Sequence, residues 1–160
     1  MHPNARLLEG LLTGLDQHDH VQMGACYVED ATFRDIAFNL HGRKKIHAMW
    51  HMICQPEGRT SDIHVSFKIV QADDISAEVS LIDEYTFSST GRPVRNVIVS
   101  RFRFENGLIL SQRDACDPRV WAAMALGGVP GFLAGRIRLL RSLKARRMLS
   151  DFLQIHPEYQ

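Results

Sequence analysis

Alternation along three runs of the chain sorts their side chains onto two faces, and one of those faces collects groups that can move protons. Leu81, Asp83, Tyr85 and Phe87 go together on the first run, Asn96, Ile98, Ser100, Phe102 and Phe104 on the second, and Leu110, Gln112, Asp114 and Cys116 on the third. The reverse face carries Ile82 and Glu84, then Val97, Val99, Arg101 and Arg103, then Ile109, Ser111, Arg113 and Ala115. Turning the mostly apolar face of the middle run inward puts Asp83, Tyr85, Ser100, Gln112 and Asp114 in a concave, otherwise apolar cavity with Asp35 at its wall. Glu84, Arg101, Arg103 and Arg113 then decorate the outer face. Three carboxylates converging on an apolar cavity repel one another, and with desolvation this raises at least one pKa toward neutrality, as proton transfer wants.

Other chemistries have weaker signals. His47-x-x-x-His51 has the i, i+4 spacing that can chelate zinc from a helix, but it lacks the glutamate of a His-Glu-x-x-His site and a third ligand, so no metal is expected. His51, next to Trp50, is expected to modulate the cavity instead, and His18, His20 and His64 to face solvent. Cys26, Cys54 and Cys116 are odd in number, far apart and without a Cys-x-x-Cys pair, which reads as three reduced thiols. No glycine-rich phosphate loop, Gly-x-Ser-x-Gly elbow or Cys/His nucleophile pattern occurs, so no organic cofactor is expected.

The elements that must position these groups follow from periodicity. Leu7, Leu8, Leu11, Leu12 and Leu15 form the stripe of a first amphipathic helix. Asp19 caps a second, expected to carry Val21 through Tyr27 and to close at Glu29-Asp30, before a short strand over 31–36. Ile46, Met49, Trp50 and Ile53 sit at helical spacing over 44–54, and Pro56-Glu57-Gly58 ends that helix. From Asp62 the period becomes two, giving strands over 62–72, 75–88, 93–105 and 108–116, with Asn106-Gly107 as a strong hairpin signal. Helices first and an antiparallel meander afterwards make an α+β fold, the helices covering one face of a curved sheet.

Composition sets the class. The chain has 160 residues, 45% of them hydrophobic and 23% charged, with a formal net charge of +1, as expected of one folded domain that needs neither disulfide nor metal for its core. No run reaches the ~18 to 20 apolar residues of a membrane span, and the N-terminus lacks a signal-peptide layout, so a cytoplasmic location is expected.

The order helix, helix, strand, helix and four long strands, carrying the run Tyr27 to Asp35 and the run Asn106-Gly107-x-Ile109-x-x-x-Arg113-Asp114-x-x-Asp117-Pro118, resembles the nuclear transport factor 2-like superfamily. Within it the chain looks like the SnoaL-like polyketide cyclases, ketosteroid isomerases and limonene-1,2-epoxide hydrolases, over about residues 5–127. The resemblance implies a cone-shaped, cystatin-like fold whose curved antiparallel sheet wraps around N-terminal helices. It places Asp35 on the proton-shuttling carboxylate of the isomerases, but Leu11 and Ser100 stand where those enzymes keep a tyrosine and an oxyanion-binding aspartic acid, donors worth several kcal/mol. It places Asp83 and Asp114 on the paired carboxylates of the epoxide hydrolases, with Leu81, Gln112, Phe33 and Asp35 replacing the arginine, tryptophan, tyrosine and asparagine around them. The looser demand of the SnoaL-like cyclases, a cavity aspartate near Asp114 with polar neighbours, fits best.

The expectation is therefore an enzyme, in which Asp35 or Asp114, with Asp83 beside them, acts as general acid or base on a small, apolar carbonyl-containing or cyclic substrate. Tyr85, Gln112 and Ser100 would bind it by hydrogen bonds, and Phe33, Trp50, His51 and Phe102 would line its site. The alternative is a non-catalytic module of the same fold that holds a hydrophobic ligand or a protein partner. Bland roles stand beside each aspartate: Asp114 as a turn cap or arginine partner, Asp83 in a solvated strand end, Asp35 as a cap of the loop to Gly42.

A domain over 1–129 is thus followed by a basic helical extension over 130–160, where six Arg and Lys face only Asp151 and Glu158. A helix over 132–153 has two apolar stripes, Phe132 through Leu143 and Met148 through Leu153, out of phase with each other. The second should meet another element or subunit, and the basic residues between suit a membrane surface or an acidic partner. Without aromatic residues interleaved on a basic surface, nucleic acid is not expected. A homodimer through the outer sheet face is.

Overall fold

The computed structural model describes residues 1–127 and 134–160, apart from the side chains of 57 and 134–141. Helix α1 (Pro3–Asp16) starts on proline, with the His2 ring accepting from the Asn4 N–H, and buries Leu8, Leu11, Leu12 and Leu15. The expected second helix is shorter than its apolar pattern suggested: α2 (His20–Ala25), capped by Asp19, stops before Tyr27. Tyr27 instead opens β1 (Tyr27–Arg34), because pairing with Ile109 seals its ring completely. Tertiary burial here overrides a local helical pattern. Asp35 and Ile36 consequently lie beyond the strand.

The remaining elements are β2 (Asn39–His41), α3 (Arg43–Cys54), β3 (His64–Ala72), β4 (Ser76–Phe87), β5 (Arg92–Glu105), β6 (Leu108–Ala115), α4 (Pro118–Leu126) and α5 (Ala134–Ile155), with 3₁₀ turns at Pro56–Gly58 and Pro157–Tyr159. One six-stranded sheet runs β2-β1-β6-β5-β4-β3. Its pairs are antiparallel except β1 with β6, which are parallel, a direction made available by the long crossover of one helix and four strands between them. At the β5–β6 hairpin Asn106 and Gly107 take φ of 51° and 76°, as a tight turn of that type requires.

Along β4, β5 and the β5–β6 pairing, strand parity holds except at one point. Arg103 pairs with Ser111 but Phe104 pairs with Ile109, so Leu110 is an extra residue and the chain bulges. The bulge turns Ile109 inward, where it is fully buried, against the outward placement that uninterrupted alternation gives it.

The core joins α1, α2 and α3 to the inner sheet face. A satellite cluster forms where Trp121, Ala122 and Ala125 of α4 meet Val94 and Tyr85. The C-terminal segment is part of the main core: Leu149 and Tyr159 are buried in it, and Phe152 and Leu153 pack against it as α5 meets α3. The second apolar stripe therefore finds its partner within the same chain, although Met148 remains exposed. Of the first stripe, Leu143 is exposed, and the rest, like the boundary between 129 and 130, lies outside the described side chains or residues. Among the described residues no helix is long and apolar enough to cross a membrane.

Candidate active site

Sheet register assembles the site. Gln112 pairs with Phe33 on one side and Phe102 on the other, and Asp114, two positions on, faces Ser100. Phe33, Phe102, Ser100 and Gln112 are all buried. Trp50 reaches the same place from α3, its indole edge-on to Phe33 with ring centroids 5.5 Å apart.

A relay of hydrogen bonds fixes the donors. An indole N–H only donates, so Tyr27 Oη accepts from Trp50 Nε1 at 3.0 Å and uses its own hydrogen on Gln112 Oε1, 2.5 Å away. The Gln112 amide is thereby oriented with Nε2 toward Asp114, 3.1 and 3.0 Å from its two oxygens. Tyr27 is itself held far above the ordinary phenol pKa, first by burial and further by the Asp114 charge. It is a fixed neutral donor.

Asp114 is the perturbed acid. Burial of its carboxyl among these groups, reinforced by the charges of Asp35 and Asp83, pushes its pKa up to about 7. The Ser100 hydroxyl and the Gln112 amide act in the opposite direction without reversing it. Ser100 Oγ does so from outside regular hydrogen-bond geometry. Asp114 is nevertheless only half-buried as a residue, so water reaches part of it.

The other two aspartates sit around it. Asp35 ends a turn just beyond β1, where its Oδ1 accepts the N–H groups of Ala37 at 2.7 Å and Phe38 at 2.6 Å. One oxygen of Asp35 is thus committed to the local cap, while the charge is still felt by Asp114. Asp83 is half-buried opposite the buried Asn96, and Tyr85 accepts a hydrogen bond from Trp121 Nε1 at 2.8 Å. On the outer face Glu84, Arg101, Arg103 and Arg113 are all exposed, with Arg101 paired to Glu78 at 2.9 Å.

His51 is placed elsewhere. One residue after Trp50 on α3, it points about 100° away, to Tyr159, whose Oη is 3.0 Å from His51 Nδ1, and to His20, stacked on its ring. His20 likewise joins that cluster, half-buried, where solvent was expected. Burial pushes the Cys26 and Cys54 thiols up to about 11 and 12, which makes them poor nucleophiles. Tyr27 and Trp121 are residues beside the site that the pattern of types did not single out. The alternation of Ala31 with Phe33 carried back to Tyr27 would have found the first, had Glu29 not interrupted it.

The SnoaL-like domain family matches residues 8–112. No curated protein matches the chain. Among solved structures, an LEH-like epoxide hydrolase from M. tuberculosis is 18% identical with a TM-score of 0.61, covering 84% of this chain and 96% of its own. A putative isomerase from Bacillus subtilis is 20% identical with a TM-score of 0.62, covering 79% of this chain and 94% of its own. An NTF2-like protein of unknown function from Burkholderia pseudomallei is 16% identical with a TM-score of 0.65, covering 79% of this chain and all of its own, 100%. At these identities the likeness establishes the nuclear transport factor 2-like fold and leaves the reaction open.

Proposed function

The chain belongs to the SnoaL-like domain family, and from that premise we propose that it is a small-molecule enzyme whose proton-transfer group is Asp114. The substrate class is a small, apolar carbonyl-containing or cyclic molecule, and the reaction a cyclisation, isomerisation or hydration. The observation that carries this reading is the Asp114 carboxyl pushed to about 7 beside an amide donor of fixed orientation. At that pKa both protonation states are populated near neutral pH, so one group can take a proton in one half of a reaction and return it in the other. Asp35 and Asp83 act on Asp114 through their charge.

Partial exposure supports access. On the inward face Ile98, Asp83, Tyr85 and Asp114 keep contact with water, while Val79, Ser100, Phe102 and Gln112 are closed off. Ile98 is inward yet only half-buried between the buried Asn96 and Ser100, which leaves apolar surface near Asp114 that an apolar substrate can cover. Leu11 and Ser100, where the isomerases of this fold keep their two enolate donors, argue against steroid isomerisation by that route. The proposal includes a homodimer through the outer face, on which Val97 is exposed and the charges of Arg101 and Glu78 are mutually neutralised.

The test is turnover of a panel of small cyclic epoxides and enolisable ketones between pH 5 and 9. Expected is a rate whose pH profile turns near neutrality, and which falls about 10²- to 10⁴-fold in Asp114→Asn. Saturable binding of such molecules without turnover, or full activity in Asp114→Asn, would replace the enzyme by the non-catalytic binding module.

A further inference from the structure

Imidazoles gather at the seam where α2, α3 and the C-terminal 3₁₀ turn meet, on the side of α3 that faces away from the Trp50–Tyr27 relay. His20 Nδ1 is 3.1 Å from His47 Nε2, and its ring stacks on His51 with centroids 3.8 Å apart and planes 10° apart. His156 meets the His51 ring at 4.9 Å. A bare backbone at Gly24 permits this approach of α2 to α3, since a Cβ there would come within 2.5 Å of the His47 ring.

Four imidazolium ions this close would repel strongly, and burial works in the same direction. Desolvation and the neighbouring rings lower His20 to about 4 and also hold His47 and His51 below the usual histidine value. One ligand atom from each of His51, His156 and Glu158 lies within 4.8 Å of the other two. Donors around a tetrahedral zinc ion are about 3.4 Å apart, so the wider separations close by roughly an ångström, while His156 Nδ1 and Glu158 Oε1, now hydrogen-bonded at 2.8 Å, exchange that bond for the ion. The half-exposed His156 and exposed Glu158 side chains can supply that by rotation.

We propose that His51, His156 and Glu158 bind a divalent transition-metal ion, zinc being the best match to two imidazoles and one carboxylate, and that the ion clamps the C-terminal segment to α3. Three protein ligands leave the fourth position for water. Tyr159 Oη at 3.0 Å from Nδ1 and Gln55 Oε1 at 3.3 Å from Nε2 flank the His51 ring and are placed to orient it from whichever nitrogen stays off the metal. The third ligand that the His47/His51 pair lacked comes from the far end of the chain, and His51 leaves its helical partner to join it. The site is independent of the chemistry at Asp114.

The experiment uses tag-free full-length protein stripped with a chelator, then titrated with Zn²⁺ against a chromophoric competitor and melted with and without the ion. Expected are one ion per chain, a melting temperature that rises with Zn²⁺, and at least a roughly tenfold loss of affinity in Glu158→Gln and in His156→Ala. His20→Ala and His47→Ala should still bind. Glu158 is exposed, so its variant reports even if His156→Ala folds poorly. Absence of saturable binding overturns the proposal. So does binding that survives Glu158→Gln and is lost in His47→Ala, which would put the ion on the α3 pair.

Discussion

Gln112 Nε2 donates to both oxygens of Asp114, at 3.1 and 3.0 Å, from two positions back on the same strand face. This donor favours the carboxylate, so it holds down a pKa that burial, Asp35 and Asp83 push up to about 7. Gln112→Leu keeps the bulk and removes the donor. The Asp114 pKa should then climb above its parent value, as read from the pH dependence of its carboxyl carbon resonance. A fall would show that the amide is not what stabilises the anion.

Asp114 should cost the fold stability at neutral pH. Unfolded, it titrates near the ordinary 3.8, and folded, near 7. Between those values the unfolded chain has released a proton that the folded chain retains, so this group's contribution falls as pH rises through the window, and the deficit is complete above about pH 7. Asp114→Asn is neutral throughout. Its unfolding free energy should exceed the parent's by on the order of 4 kcal/mol at pH 8 and nearly match it at pH 4, in denaturant titrations at the two pH values. Equal stability at both would mean the carboxyl is better solvated than its surroundings indicate.

Asp35 separates charge from geometry. Asp35→Asn keeps an oxygen that can accept from the Ala37 and Phe38 N–H groups, now 2.7 and 2.6 Å from Oδ1, and removes the charge felt by Asp114. The Asp114 pKa should drop while unfolding free energy changes by no more than about 0.5 kcal/mol. Asp35→Ala lowers the same pKa but also strips the turn of both acceptors, and should cost about 1–2 kcal/mol. If the two variants melt alike, the turn does not depend on this side chain.

The convergence of Asp83, Ser100, Gln112 and Asp114 on one face was legible because strand alternation is a geometric rule that needs no tertiary information. It failed where one residue breaks the count: the bulge at Leu110 reverses Ile109, and nothing in the local types of Leu108-Ile109-Leu110 announces it. Tyr27 was hidden for a different reason. Its helix-compatible neighbours and the exposed Glu29 masked a strand whose register is imposed by β6, more than eighty positions away in sequence. His51 and His20 could not be placed at all from local pattern, since what gathers them is the packing of α2 against α3, together with the return of the C-terminal segment over α3.

Tyr27 joins two buried groups, and its deletion should exceed the loss of either neighbour's bond. In Trp50→Phe the Tyr27 oxygen loses one incoming donor but still donates to Gln112. In Tyr27→Phe the buried Trp50 N–H has no acceptor and Gln112 Oε1 no donor, two unsatisfied groups at about 1–3 kcal/mol each. Tyr27→Phe should therefore be more destabilising by hydrogen bonding than its removal of a single oxygen suggests, at about 2–4 kcal/mol in denaturant titration. It also frees the Gln112 amide to turn, and an amide oxygen presented to Asp114 can accept from the protonated acid but repels the carboxylate. The Asp114 pKa should then rise, moving the pH profile of any turnover alkaline. A Tyr27→Phe protein with an unshifted profile would show that the amide is held by its packing between Phe33 and Phe102, and not by the phenol.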